Sequence, residues 1–109
     1  MDSTLRIREL NDAFRTRMAG SGRLFLTAGI SHKSPDEQAE IMRLVFEFSE
    51  FTEDNDPHGE HDFGAFDFAG ERIFWKIDCY DRDMKFGSPD PADPMVTTRV
   101  LTILLADEY

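Results

Sequence analysis

The densest chemistry in this 109-residue sequence lies in one stretch, DNDPHGEHDFG at residues 54–64. From Glu47 to Asp67 there are eight acidic residues and two histidines, with no Lys or Arg among them. Carboxylates at this density repel one another, so a fold must offset them with a cation, an arginine or backbone N–H groups. Set against a calcium-binding loop, Asp54 and Asp56 fall at positions one and three, His58 at five, Gly59 at six and Asp62 at nine. The position that needs a bidentate Glu holds Ala65, so the match is partial. Hard oxygen donors suit Ca²⁺ or Mg²⁺, whereas His58 and His61 with Glu60 and Asp62 suit Zn²⁺ or Mn²⁺. The candidate ligand set for a divalent cation is therefore Asp54, Asp56, His58, Glu60, His61 and Asp62. The metal-free alternative is an Asx-turn loop whose carboxylates accept local backbone hydrogen bonds.

A His and a Glu side by side are also the makings of a general acid/base pair. His58 and Glu60 are separated by a glycine, so the sequence fixes no geometry between them. Asp78, Asp81 and Asp83 follow at a strand end, and carboxylates from both segments could converge on Mg²⁺ in a metal-dependent hydrolase of phosphoesters or nucleic acid. No P-loop, GxGxxG, HExxH, CxxC or GxSxG motif occurs. Cys79, the single cysteine, falls on the apolar side of its strand, where an inert buried thiol is expected.

The elements that must carry these residues are legible in part. Ile7, Leu10, Phe14 and Met18 step by three or four and predict a helix over 4–18. Leu24–Ile30 is a short apolar run between turn signals and predicts a strand. Ser34 and Glu37 have capping-box spacing with Pro35 between them, predicting a helix over 35–51 with a core stripe of Ile41, Leu44, Val45 and Phe48. Residues 63–68 and 72–80 predict a hairpin turning at Ala69-Gly70. Residues 81–94, with three prolines, read as a long ordered loop or a lid. Asp93-Pro94 starts a predicted helix over 94–106, although the β-branched run Val96, Thr97, Thr98, Val100 keeps a strand open as the alternative. The sum is one α+β domain over 1–109 in the order α-β-α-β-β-α, with a small sheet of about three strands. Phe14, Leu44, Phe48, Phe66, Trp75, Ile77 and Leu101 are expected to share its core.

Charge narrows the partners. Residues 1–35 carry six bases and three acids, and residues 36–109 carry six bases and nineteen acids, for a net −10. Such a surface repels nucleic acid and anionic lipid and attracts a basic groove. No signal peptide is recognisable and no apolar run is long enough to span a membrane, so a cytoplasmic protein is expected.

Four runs, DNDPHGEHDFG (54–64), FWKIDCYDRD (74–83), GSPDPADP (87–94) and TTRVLTILLA (97–106), give the second half of the chain a close resemblance to an uncharacterised bacterial domain-of-unknown-function family. The resemblance implies a small stand-alone bacterial protein, often on mobile elements. It implies no activity, so no catalytic role transfers with it. In that pattern Cys79 replaces a commoner aromatic residue.

The functional expectation is thus a non-enzymatic acidic protein that binds a basic protein or nucleoprotein, for instance as a nucleic-acid mimic against a nuclease, restriction or CRISPR complex. Its partner-binding residues would be Glu50, Glu53, Asp78, Asp81 and Asp83. A homodimer formed through exposed Phe is a further expectation, and the metal-dependent hydrolase is the alternative.

Overall fold

The computed structural model describes residues 3–109. Helix α1 spans Ser3–Arg17, strand β1 Gly22–Leu26, the single-turn helix α2 Ala28–Ser31 and helix α3 Pro35–Phe46. Strands β2 (Phe63–Phe68), β3 (Glu71–Tyr80) and β4 (Thr98–Leu105) follow, with 3-10 turns at Pro94–Val96 and Ala106–Glu108. The architecture is α+β, as expected.

The sheet has four strands rather than about three, in the order β1-β4-β3-β2. β1 runs parallel to β4, and β4, β3 and β2 are mutually antiparallel. The extra strand comes from residues 94–106, where the expected helix is instead β4 preceded by a 3-10 turn. Asp93 does cap that turn, accepting from the Met95 N–H at 2.9 Å. The β-branched residues then prevail, because β4 is the central strand, hydrogen-bonded on both sides and buried along most of its length.

Local signals hold where they are strong. The capping box forms, with Ser34 Oγ accepting from the Glu37 N–H and Glu37 Oε1 accepting from the Ser34 N–H, each at 3.2 Å. The hairpin turns at Ala69 and Gly70, whose φ values of 51° and 81° give the primed turn that matches strand twist. Two boundaries shift. The first strand is Gly22–Leu26 and gives way to α2 at Ala28. α3 stops at Phe46 rather than 51. There the buried Arg15 donates from Nη1 to the carbonyls of Val45 (2.8 Å) and Phe48 (3.0 Å), closing the helix from outside its own ladder.

The core lies between the helices and one face of the sheet. Phe14, Ile30, Ile41, Val45, Ile73, Trp75, Ile77, Leu101 and Ile103 are buried there. Phe48 and Phe66 are partly buried against it, and Leu44 lies outside the buried cluster, correcting the expected stripe. The pattern turns at Val45 because Phe48 and Phe51 leave the helix and fold over Trp75, with ring centroids 5.6 and 6.1 Å from its own. Gly64 faces the same indole so closely that a Cβ there would come within 2.3 Å of Trp75 Nε1.

Candidate functional site: the acidic loop and the end of the sheet that carries it

Antiparallel pairing puts the start of β2, the end of β3 and the start of β4 at one end of the sheet. The segments 47–62 and 81–97 are therefore neighbours in space, although the hairpin separates them in sequence. Both acid-rich regions of the chain meet there.

The first segment is a fixed structure. Thr52 and Asn55 cap each other, the Thr52 N–H donating to Asn55 Oδ1 (2.8 Å) and the Asn55 N–H to Thr52 Oγ1 (3.2 Å). Asn55 Nδ2 also donates to the Glu50 carbonyl at 2.8 Å. These local side-chain to backbone bonds are made by a hydroxyl and an amide rather than by the loop's carboxylates.

The second half is held by α1. Arg8 Nε donates to the Gly59 carbonyl (2.5 Å) and Asn11 Nδ2 to the Glu60 carbonyl (2.9 Å). His61 Nδ1 lies 2.9 Å from Asp12 Oδ1, and its Nε2 lies 3.6 Å from Asp56 Oδ2. Asp56 is itself buried, and its Oδ1 accepts from the His61 N–H at 3.2 Å. The His61 ring stacks on Phe51 at 3.7 Å and 4°. A histidine with a carboxylate at each ring nitrogen and an aromatic ring on its face is clamped in position.

The six candidate metal ligands are dispersed by this arrangement. Asp56 and His61 point inward at each other, Asp54 and His58 point to solvent, and Glu60 and Asp62 are half-buried. Among the described residues, no three His, Cys, Asp or Glu side chains are grouped as a metal ion requires. Burial pushes the Glu60 carboxyl above its ordinary range, reinforced by the charge of Asp62. Burial does the same to Asp62, with Asp56 adding to it. The Cys79 thiol is pushed up by burial, which suits the inert role expected of it.

The candidate partner-binding acids separate into groups. Glu50 and Glu53 are exposed beside Asp54 on the capped turn. Asp83 is exposed in the segment after β3, where Asp81 accepts from the Lys85 N–H at 3.0 Å. Asp78 lies on the sheet face away from the helices, paired with Lys76 at 3.1 Å.

Sequence reasoning missed the residues that build this end: Arg8, Asn11, Asp12, Arg15 and Arg99. The signal was present on α1, where Arg8, Asn11, Asp12 and Arg15 are linked by spacings of three and four and make a polar stripe along one side of the helix. Arg99 stands out as a lone charge in an apolar run. Burial depresses the guanidinium pKa of both Arg15 and Arg99, the former partly offset by Asp12. Hydrogen bonds to carbonyl oxygens hold both in place.

Comparison with curated proteins and with solved structures finds no match. A family profile does match over residues 26–108, which takes in the acidic loop and β2 to β4 and leaves out α1. On that match the chain belongs to the family described as "Protein of unknown function (DUF3768)".

Proposed function

We propose that this chain is a non-enzymatic interaction protein whose acidic end engages a basic protein or nucleoprotein, filling a groove that otherwise accepts nucleic acid. The observation that carries the reading is the turn at Glu50–Asp54. Glu50, Glu53 and Asp54 are exposed and make no ion pair among the described residues. The Thr52–Asn55 caps fix their backbone, and the buried Arg15 is committed to the Val45 and Phe48 carbonyls and to Asp12. Preorganised, unneutralised carboxylates steer a basic partner without an ordering cost. Asp83, on the neighbouring segment, extends the same end.

The test compares the parent with a Glu50→Gln, Glu53→Gln, Asp54→Asn variant. Partners captured from bacterial lysate at low salt are identified by mass spectrometry and retitrated as pure proteins. Binding should weaken with salt, because the screening length falls from about 10 Å at 0.1 M to about 3 Å at 1 M. The variant should bind at least about tenfold more weakly, with unchanged melting. A partner bound equally by both proteins, or none at low salt, refutes the proposal.

A further inference from the structure

β2 is an edge strand, paired only with β3 in the order β1-β4-β3-β2. Its register runs unbroken from Phe63 opposite Lys76 to Phe68 opposite Glu71, and just before it the Asp62 carbonyl accepts from the Ile77 N–H at 2.9 Å. Bonded and non-bonded pairs alternate along an antiparallel ladder. Gly64, Phe66 and Phe68 therefore exchange hydrogen bonds with β3, while Phe63, Ala65 and Asp67 turn their N–H and C=O groups to the free edge. Among the described residues, no hydrogen bond reaches those outward groups. Edge strands are ordinarily blunted by Pro, Lys or a bulge. The sequence FGAFDF has none of these, and only Gly64 in it is buried.

Beside this edge, where Phe66 packs towards the helices, the end of α3 leaves a notch of about 200 Å³. Leu44, Phe48 and Phe66 line it together with Glu47, Ser49 and Glu50. The volume is below the roughly 300–1,000 Å³ of small-molecule pockets and suits a single side chain. Glu47 is paired with Arg43 at 2.7 Å, whereas Glu50 has no ion pair among the described residues.

We infer that β2 takes up an extended segment of a protein partner as a further strand of the sheet. One apolar side chain of the segment fills the notch, and a Lys or Arg two residues away, on the same face, meets Glu50. The inference rests on the basic partner of the proposed function and gives the form in which that partner binds. Main-chain bonds to Phe63, Ala65 and Asp67 supply affinity for any extended chain, and the notch and Glu50 supply the preference. Side chains alternate between faces, so the residue opposite Phe66 shares its face and meets Leu44 and Phe48. A second copy of β2 is a poorer occupant. FGAFDF holds no basic residue to meet Glu50, and the copy brings another net charge of −10.

The probe is the synthetic peptide Thr-Lys-Thr-Leu-Thr-Lys-Thr, added to the full chain. Its Leu and both Lys share one face, and either strand direction brings a Lys towards Glu50. Trp75, the single tryptophan, packs on Phe48 with ring centroids 5.6 Å apart, so its emission reports filling of the notch. The titration should saturate with a Kd of about 1 mM or tighter. Amide hydrogen exchange followed by NMR should slow more at Phe63, Ala65 and Asp67 than at Gly64 and Phe66, whose N–H groups β3 already holds.

Three changes should each weaken binding by about tenfold or more. One methylates the backbone nitrogens of the two Thr beside the Leu, which removes main-chain donors without altering charge. The second, Leu44→Lys, puts a cation in the notch. The third, Ala65→Pro, removes the central outward N–H at an edge position where proline is tolerated. Circular dichroism melts check that both variants fold, and the methylated peptide tests the parent if they do not. An emission that does not saturate, slowing without that alternation, or binding indifferent to methylation would each overturn the inference. Protection of the same amides by protein concentration alone would assign the edge to a second copy and overturn it as well. If the peptide fails while the Glu50, Glu53 and Asp54 variant still loses its lysate partner, the proposed function stands and only strand addition falls.

Discussion

Arg99 Nε donates to Asn11 Oδ1 at 2.7 Å, and this buried hydrogen bond joins the central strand of the sheet to the middle of α1 across 88 residues of sequence. Each partner carries the connection further. Asn11 Nδ2 holds the Glu60 carbonyl at 2.9 Å, and Arg99 Nη2 holds the Pro91 carbonyl at 2.6 Å. The two acid-rich segments are thereby pinned to one another through a single amide and a single guanidinium. Because α1 lies outside the family match, the loop at the centre of the matched region is positioned by an element beyond it.

Asn11→Leu should therefore cost about 2–4 kcal/mol in urea unfolding, since it strands a buried carbonyl and one donor of a buried guanidinium. Hydrogen exchange should quicken at residues 59–61 more than in β2 or β3. In a double-mutant cycle with Arg99→Met, the two sites should couple by about 1 kcal/mol or more. Strict additivity would show that the bond is incidental.

Arg15 is the second prediction. Its side chain is 3% exposed, closes the end of α3 and lies 4.8 Å over the Trp75 ring. Arg15→Met keeps the stem volume but leaves the Val45 and Phe48 carbonyls without this donor, and should cost about 2–4 kcal/mol. Arg15→Lys should recover only part of the loss, because an ammonium cannot reproduce the planar fork. Urea unfolding of both variants measures this, and a Lys variant as stable as the parent would contradict it.

The third prediction concerns acid. Asp62 is held above the ordinary carboxylate range by burial and by the charge of Asp56. Its folded form thus binds a proton more tightly than its unfolded form. The stability that this proton carries is present below the ordinary carboxyl value of about 3.9 and is lost as pH rises through the raised folded value. At neutral pH the whole penalty is in place. Asp62→Asn should melt above the parent at about pH 7, with the difference shrinking towards about pH 3. A variant that melts lower at neutral pH, or by the same margin at both, would show that the carboxylate is stabilising where it stands.

How much of this was readable in advance follows the range of each interaction. Ser34, Pro35 and Glu37 start a helix by contacts within one turn, and Ala69-Gly70 reverses the chain with its own φ values, so both were legible. The density of acids from Glu47 to Asp67 and the alternation in β3 were equally a matter of the residues themselves. Membership of the helix core was legible at Ile41 and Val45 but not at Leu44, which lies outside the buried cluster. Phe48 and Phe51 continue the helical spacing on paper, yet they are drawn out of the helix by Trp75, 24 or more positions along the chain.

Tertiary structure alone decided the rest. The segment 94–106 has both a helix-start pair and β-branched residues, and only the availability of β1 and β3 as neighbours, satisfying its backbone on both sides, selects the strand. The acidic loop looked like a ligand set because its residues are adjacent in sequence. Adjacency does not set direction, and the fold spends Asp56 and His61 on each other and on Asp12 while leaving Glu50, Glu53 and Asp54 to solvent. A buried polar group takes whichever partner the packed chain brings within about 3 Å, and for Asn11 that partner is Arg99, from the far end of the sequence.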